Sequence, residues 1–298
     1  MAYPRWVWLL FFSVLAIVFM SWWASLPPSP KPIDAPPEQF SAERAMVHLK
    51  DLARAPHPAG SPENDRVFER IQEILREMGV EMEVINEPAV HGDRRAAWGR
   101  AVLARIRGTD PDGKAIAVDA HFDSVPYGPG AADDLSGGVA MLEACRALKY
   151  LPPLRHDVIF VFSDQEEVGG DGARAFSRHP WYNDVAVVLG LEVRGVKGPS
   201  LMFETSDRNG PIIRHLALSG APVRTNSIFF GIYDRLPFGS NFGHYKRSRP
   251  GYNLAFVDGF AYYHTMLDRP DKVSLASIQH HGEQVLALCR YFGSLEQL

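Results

Sequence analysis

The chain has 298 residues, of which 46% are hydrophobic and 22% are charged, enough apolar material for one large α/β domain or two small ones. The formal net charge is −4 and there is no long basic run, which argues against nucleic acid as a partner. Cys145 and Cys289 form no Cys-x-x-Cys pair, which argues against a zinc-thiolate site or a redox motif. We expect both to be small buried apolar residues, and a disulfide between them remains open if the domain is extracytoplasmic.

The first predicted element is an apolar run from Trp6 to Ala24 that contains no charged residue. As a helix this run would reach about 28 Å, close to the thickness of the hydrocarbon core of a bilayer. We expect a membrane anchor over residues 1–25, because the run is longer than the apolar part of a signal peptide and ends in Trp22 and Trp23. The expected topology is single-pass with the remainder extracytoplasmic, and a cleaved signal peptide is the alternative.

Proline dominates the next segment, residues 26–39, with six prolines between Leu26 and Pro37. This composition favours an extended, semi-rigid spacer, which we expect to hold the following domain off the membrane. Residues 40–298 contain no internal repeat and no clear internal boundary. The sequence therefore predicts a single globular domain over 40–298.

From residue 41 onward the hydrophobic pattern predicts helices and strands in alternation. Two amphipathic helices, the first capped by Ser41 and the second starting near Ser61, open the domain. The predicted strands cover 80–85, 101–106, 114–120, 158–162 and 185–191. The predicted helices cover 138–149, a stretch from about 172, and 274–291. Further alternation of apolar and polar residues occurs at Phe203, 212–218 and 254–257. Strands separated by helices indicate an α/β fold with one mostly parallel mixed sheet covered by helices on both faces.

Acidic and imidazole residues recur at the ends of the predicted strands. They are His121 and Asp123, Asp133 and Asp134, Glu166 and Glu167, Glu192, and later His264. Ligands of open α/β sheets bind at the carboxyl ends of the strands. Histidine and carboxylate ligands without cysteine suit Zn²⁺ or a similar divalent ion, and a bridging carboxylate can hold two ions together for hydrolysis. Of two adjacent glutamates, one can bind metal while its neighbour takes a proton from water.

Each cluster alone also has a structural explanation. The pair His121 and Asp123 is typical of a hydrogen-bonded loop, and Glu166 with Glu167 is typical of a solvated helix start. The occurrence of all the clusters together favours a metal site. For Asp123, both a metal ligand and a partner that orients the His121 ring remain open.

Six motifs occur in one order along the chain. They are Pro56–Ser61, His121–Asp123, Gly130–Gly137, Glu166–Gly172, Leu191–Gly195 and Tyr263–Thr265. In this set the chain resembles the co-catalytic di-zinc aminopeptidase family, which includes bacterial secreted aminopeptidases, aminopeptidase Y and the endoplasmic reticulum metallopeptidase, with glutaminyl cyclases as relatives. The resemblance covers about residues 40–295. It implies two Zn²⁺ ions per chain and a peptide substrate with a free N-terminus.

The resemblance also implies a role for each residue. The metal ligands are His121, Asp133, Glu167, Glu192 and His264. Asp133 would be the carboxylate that bridges the two ions, with Asp134 as its structural neighbour. Glu166 would be the general base, and Asp123 would orient the His121 ring at the catalytic site. Glu192 stands where many family members have aspartate.

One position departs from the family pattern. Asn241, in the motif Phe238–Phe242, stands where we expect an aspartate, and the lost charge bears on recognition of a cationic N-terminus. Tyr233 and Tyr263 are candidates for assisting an oxyanion. The remaining histidines are expected to be structural or surface residues, with His57 the nearest of them to the site.

These observations predict a membrane-anchored, zinc-dependent aminopeptidase. Two alternatives remain: a glutaminyl cyclase-like transferase that works with one zinc, and a non-catalytic receptor-like ectodomain. The complete set of ligand types for two metals favours the peptidase over both. Side-chain preference and oligomeric state are not predicted.

Overall fold

The computed structural model of the chain describes residues 4–91, 95–237 and 239–298. Residues 1–3 of the predicted anchor lie outside the described residues, and so does Phe238 of the motif Phe238–Phe242. The helices are α1 (Arg5–Ser25), α2 (Ala42–Leu52), α3 (Pro62–Met78), α4 (Leu135–Leu148), α5 (Asp171–Phe176), α6 (Gly210–Leu218), α7 (Ser227–Tyr233), α8 (Phe242–Tyr245) and α9 (Leu275–Gly293). The strands are β1 (Glu81–His91), β2 (Arg95–Ile106), β3 (Ala115–His121), β4 (Asp157–Ser163), β5 (Val185–Val193), β6 (Leu201–Thr205), β7 (Arg224–Thr225) and β8 (Gly251–Phe256).

The strands form one mixed sheet in the order β1-β2-β4-β3-β5-β8-β6-β7. Its centre, β4-β3-β5-β8, is parallel. Antiparallel pairs flank this centre, with β1 against β2, β2 against β4, and β6 against β8. At one edge, β6 and the short β7 are again parallel. The predicted α/β fold with a mostly parallel mixed sheet is confirmed.

Burial explains why the central strands are so apolar. Every residue of β3 and β4 is buried, as expected for strands that are covered on both faces. In β2, Val102 and Ala104 belong to the larger core cluster, which α2, α3, α4 and α9 share, whereas Ala101 and Leu103 belong to a second cluster with α5 and α8. Because alternate residues of a strand point to opposite faces, helices cover both faces of this sheet.

The ends of the first two domain helices follow the sequence prediction. The Ser41 side chain accepts a hydrogen bond from the Arg44 N–H and caps α2, and Ser61 does the same for Asn64 at α3. Such caps satisfy amide groups that have no partner within the helix. Residues 212–218 lie in α6, and the helix predicted from about 172 is the six-residue α5.

Among the described residues, α1 is the one helix that is long and apolar enough to cross a membrane, over Arg5–Trp23. No part of this apolar stretch is buried inside the structure. Its side chains, such as Trp6 and Leu9, are largely exposed. By length and composition it is a candidate membrane span, and it is not a core helix of the domain.

The proline-rich segment lies against the domain from Lys31 onward. The Lys31 N–H donates to Gln279 Oε1 (2.9 Å) in α9. The Arg44 guanidinium donates to the carbonyl oxygens of Ile33, Ala35 and Gln39. The connection between α1 and the first of these contacts is therefore residues 26–30, which is much shorter than the whole proline-rich segment.

Candidate metal centre

The candidate ligands gather at the carboxyl ends of the central strands. His121 is the last residue of β3, and Glu192 is the last but one of β5. Glu166 and Glu167 follow β4 in a one-turn 3₁₀ helix, Glu166–Val168. Since parallel strands end at the same edge of the sheet, the topology brings together side chains that are far apart in sequence.

The structure arranges the five predicted ligands in two groups that share one residue. In the first group, ligand atoms of His121, Asp133 and Glu192 all lie within 4.8 Å of one another. In the second group, the same holds for Asp133, Glu167 and His264. Asp133 is the shared residue, at the position where a bridging carboxylate was expected. Within the described residues, Glu166 belongs to neither group, although it lines the same cleft.

Asp123 fixes both His121 and the glutamate turn. Its backbone carbonyl accepts from His121 Nδ1 (2.9 Å), and its carboxylate Oδ1 is 3.4 Å from the same nitrogen. The two carboxylate oxygens accept the backbone N–H groups of Glu166 (3.0 Å) and Glu167 (3.2 Å). The His121 ring is thus oriented by Asp123, chiefly through its main chain, and the Asp123 side chain holds the turn that presents both glutamates.

His264 reaches the second group from a backbone in the left-handed region, with φ of 56°. Its Nε2 is 3.0 Å from Asp133 Oδ2 and 3.1 Å from Glu167 Oε1. The Tyr263 ring stacks on the His264 ring, with centroids 3.7 Å apart. The tight main-chain turn and the stacked ring together fix the direction of the imidazole.

Arg194 contacts Glu192 of the first group and the Tyr263 ring that stacks on His264, and sequence reasoning missed it. Its guanidinium lies over the Tyr263 ring, 5.0 Å from the centroid, and donates to the Tyr263 hydroxyl. Its Nη2 is 3.7 Å from Glu192 Oε1. The sequence could have indicated Arg194, because it follows the predicted ligand Glu192 by two residues at the end of β5, and alternate residues of a strand point to the same face.

Asp268 is a second residue that sequence reasoning missed. Its carboxylate accepts the backbone N–H groups of Ala132 (2.7 Å) and Asp133 (3.1 Å), which fixes the loop that carries the shared ligand. On the other side of this loop, Asp134 caps α4 by accepting from the Gly137 N–H. The sequence feature that could have indicated Asp268 was its position four residues after the predicted ligand His264.

The electrostatics of the cluster favour cations. Burial, and in addition the neighbouring carboxylates, raise the pKa of Asp134, Glu166 and Glu167 above the usual range and that of Glu192 to about 7. Burial lowers the pKa of His264, but the carboxylates of Asp133 and Glu167 outweigh it and raise that pKa to about 9. Positive ions between these groups would offset the mutual repulsion of the carboxylates.

Unpaired polar atoms point to the same conclusion. In the described part of the chain, the buried atoms His121 Nε2 and Asp133 Oδ1 lie 3.4 Å apart and Glu167 Oε1 lies 3.1 Å from His264 Nε2, but none of the three atoms forms a well-aligned hydrogen bond. Buried polar atoms without partners are rare in proteins and need an explanation. All three belong to the two candidate groups, and nitrogen and carboxylate oxygen are the donors that Zn²⁺ accepts. The residues present therefore fit a metal pair.

Asn241 has a structural role in the floor of the cleft. Its Nδ2 donates to Asp119 Oδ1 (2.8 Å) and to Ser163 Oγ (2.7 Å), and Tyr245 donates to the other oxygen of Asp119. An aspartate at 241 would face the Asp119 carboxylate. Burial raises the pKa of Asp119 to about 6, although three hydrogen bonds oppose that shift. A carboxylate is thus present next to position 241, at the buried Asp119.

Most of the remaining predictions concern buried residues. Cys145 and Cys289 are free and buried, as expected of small apolar residues, and no disulfide joins them. His280 and His281 are buried and bonded to Ser200. His57 is buried beside Ser124, whose hydroxyl accepts its backbone N–H. These contacts agree with the structural role expected for these three histidines, whereas His244 lines the cleft together with Glu166, Glu167 and His264.

Two cavities adjoin the metal-ligand groups. A cleft of about 380 Å³ exposes Glu166, Glu167 and His264, together with Arg194 and Tyr263. Next to it lies an apolar cavity of about 250 Å³ between α7 and the sheet, lined by Leu201, Phe203, Phe229, Ile232, Tyr233, Leu236, Ala255, Val257 and Phe260. Arg194 lines both cavities, so the apolar cavity lies directly beside the candidate centre.

The fold and the site define a class of α/β proteins with candidate metal ligands at the carboxyl end of a mixed sheet. Residues 101–289 match the model of peptidase family M28, and the chain belongs to this family. This result confirms the resemblance found in the sequence motifs.

Two curated relatives illustrate the match. The chain is 31% identical over 286 residues to endoplasmic reticulum metallopeptidase 1 of Homo sapiens, covering 87% of this chain and 31% of that protein. It is 31% identical over 247 residues to the vacuolar membrane protease of Candida albicans, covering 82% of this chain and 29% of that protein. The chain thus spans about a third of the length of these relatives.

Solved structures share the fold. An aminopeptidase from Aneurinibacillus sp. strain AM-1 superposes with a TM-score of 0.70 at 15% identity, covering 88% of this chain and 96% of that one. The glutaminyl cyclase of Porphyromonas gingivalis gives 0.68 at 20% identity, covering 84% of this chain and 98% of that one. At these identities the comparison speaks for the fold alone.

Proposed function

We propose that this chain is a zinc-dependent exopeptidase, an aminopeptidase that binds two Zn²⁺ ions. The observation that carries the proposal is the pair of ligand groups that share Asp133, with the uncommitted Glu166 in the same cleft. Membership of peptidase family M28 and similarity to a metallopeptidase and a membrane protease support hydrolysis of peptide bonds.

Each group would hold one ion. His121 and Glu192 would bind the first, Glu167 and His264 would bind the second, and Asp133 would bridge them. When bound, the zinc pair would supply a Lewis acid that polarises the peptide carbonyl and makes water a nucleophile at neutral pH. Asp123 would keep the His121 ring and the glutamate turn in place, as its three hydrogen bonds indicate.

Glu166 would act as the general base. Its backbone is fixed by the bond to Asp123 Oδ1, and its side chain lines the cleft beside the two ligand groups. The carboxylate would take a proton from the attacking water and later pass it to the nitrogen of the leaving amine. A residue outside both ligand groups keeps its oxygens available for this transfer.

The apolar cavity would receive the side chain of the substrate's first residue. Its walls are aliphatic and aromatic, and the one charged residue among the lining residues is Arg194. We therefore expect peptides with a large apolar N-terminal residue to be preferred over those with a charged one.

We propose that residues 1–25 anchor the chain in a membrane, that 26–39 connect the anchor to the domain, and that 40–298 form an extracytoplasmic catalytic domain. The exposed apolar helix α1 supports the anchor. Intact mass of chain purified from membranes tests it, because a cleaved signal peptide would remove the N-terminal residues.

Zinc content and dependence on a free amine test the function. The purified full chain should carry about two zinc per chain and release leucine from a leucyl peptide but not from its N-acetylated form. One zinc per chain, with cyclisation of N-terminal glutamine and no release of amino acids, would identify a glutaminyl cyclase-like transferase. No zinc and no hydrolysis across a panel of aminoacyl substrates would favour a receptor-like ectodomain.

A further inference from the structure

The helix α7 carries an exposed apolar surface that borders the substrate cavity proposed above. Its outer side exposes Ile228 (67%) and Ile232 (55%), one helical turn apart, and Leu236 follows at the end of the helix. Val257 and Phe260 are exposed at the same cavity that Ile232 and Leu236 line. We call these five residues the α7 patch. Contiguous exposed apolar surface of this kind marks a site of contact with protein or membrane.

The inner side of α7 is packed, so the exposure is not a sign of an unfolded segment. The Tyr233 ring meets Phe203 of β6 edge to face, with centroids 4.6 Å apart. At its start, Asn226 Oδ1 accepts the backbone N–H groups of Ile228 and Phe229. The helix is therefore capped and seated on the sheet, while Ile228 and Ile232 of the α7 patch remain largely exposed.

The connection to α1 places this end of the domain near the bilayer. Lys31 is held by α9 through Gln279 and an ion pair with Glu283 (2.9 Å). Residues 26–30 join this point to the end of α1, and the six Cα–Cα steps from Ser25 to Lys31 span at most about 20–22 Å. Lys31 must then lie within that distance of the membrane end of α1.

The same part of α9 also holds the segment that leads into α7. Gln284 Nε2 donates to the carbonyl oxygen of Pro222 (3.1 Å), and His280 contacts the same oxygen. Four residues further on, Asn226 caps α7. The membrane connection and α7 are thus attached to the same half of α9, at the same end of the domain.

The charge around α7 suits a lipid surface. Residues 222–250 contain five Lys or Arg residues and one acidic residue, although the whole chain has a net charge of −4; one of the five, Lys246, is paired with Glu204 of β6 (2.6 Å). Arg224 precedes α7, and Arg235 follows it and bonds back to Gly231. A helix with an apolar outer face and basic flanks is typical of one that lies in the interface of an anionic membrane.

We propose that the α7 patch rests on the bilayer that holds α1, so that the cleft opens beside the lipid surface. The proposal builds on the membrane anchor proposed above. Pro237, Gly239 and Ser240 follow α7 and line the cleft, so a helix seated on lipid borders the entrance for substrate. The peptides taken by this site are then those presented at the membrane surface.

Spin labelling of the full chain in vesicles of phosphatidylcholine and phosphatidylglycerol tests the proposal. A nitroxide is attached at Ile228→Cys, which lies outside the catalytic cleft, since the native Cys145 and Cys289 are buried. The matched control is Val84→Cys, exposed on β1 at the opposite edge of the sheet. We expect collision with oxygen to exceed collision with a water-soluble nickel chelate at Ile228, and the reverse at Val84. Retained peptidase activity in detergent shows that each variant is folded.

Three results would overturn the inference, and they are distinguishable. A water-like collision ratio at Ile228 in chain that resists alkaline extraction would reject contact with lipid while leaving the anchor intact. Dipolar coupling between Ile228 labels of two copies would assign the α7 patch to self-association. Release of the chain by alkaline extraction would reject the anchor, and the inference with it, without bearing on zinc content or hydrolysis.

Discussion

Glu166 and Glu167 are adjacent in sequence but differ in their surroundings. Glu167 shares its group with Asp133 and His264, whereas Glu166 belongs to neither group of the described ligand atoms. We expect Glu166→Gln to keep both zinc ions and lower kcat by about 10²- to 10⁴-fold, because it removes a positioned base and no ligand. Turnover and zinc content measured together check this. Glu77→Gln, at an exposed glutamate of α3, is the control, and near-normal turnover of Glu166→Gln would exclude the role.

Asn241 shows how one residue depends on another far away in sequence. The change Asn241→Asp would replace a donor by a carboxylate opposite Asp119 and leave a buried acceptor without its hydrogen bond. We expect a loss of about 1–3 kcal/mol in the free energy of unfolding, seen as a lower Tm of the full chain. The same chemical change at Asn226, where aspartate is an equally good helix cap, should leave Tm unchanged. Equal Tm values for both variants would contradict this account.

For single residues, the sequence predicted which residues are candidate metal ligands but not which residues hold those ligands in place. Histidine and carboxylates at strand ends are visible as residue types, and the structure brings the five predicted ligands together. Arg194 and Asp268 are ordinary charged residues in sequence, and their significance depends on Tyr263, Glu192 and the Asp133 loop being near them. Such contacts between distant residues leave no periodic pattern.

The conformation of the loop before α4 depends on the carboxylate of one residue, Asp268. Asp268 accepts the amides of Ala132 and Asp133 and so fixes the shared ligand. We expect Asp268→Ala to weaken zinc binding by about 10- to 100-fold, the usual effect of losing a residue that orients a ligand. Competition with a fluorescent chelator measures the affinity. Asp271→Ala, at an exposed aspartate nearby, should bind zinc normally, and equal affinities in the two variants would remove Asp268 from this role.

Secondary structure was predictable where burial imposes a pattern. The strands β3 and β4 are buried along their whole length and read as apolar runs within one residue of their observed ends. β1 and β2 are longer than predicted, because pairing with a neighbouring strand continues beyond their apolar parts. The α7 helix had no counterpart in the prediction, since its apolar residues face both the sheet and the surface and so lack amphipathic spacing.

For the whole molecule, zinc should stabilise the fold. A ligand that binds the folded state at about 100 times its Kd contributes about 2.7 kcal/mol, and the carboxylates of the empty cluster repel one another. We expect a strong chelator to lower Tm by about 5–15 °C, measured by thermal unfolding of the full chain. Asp133→Ala, which lacks the shared ligand, should show a much smaller response. A Tm that is indifferent to the chelator would argue against metal in the native protein.

The overall architecture was predictable from alternation of elements, but the order of strands in the sheet was not. Helices between strands indicate a parallel centre, and β4-β3-β5-β8 is parallel. The antiparallel pairs depend on which strands lie side by side in the folded sheet, and the spacing of elements along the chain does not encode this order.

The contacts of Arg44 with the proline-rich segment determine where the molecule can be cut. Residues 33–39 are tied to the domain through their carbonyl oxygens, which hinders a protease from drawing them into an extended form. Residues 26–30 precede those ties. Limited proteolysis that separates the domain from α1 should therefore cut within 26–30, and the released fragment should retain Lys31 at or near its new N-terminus.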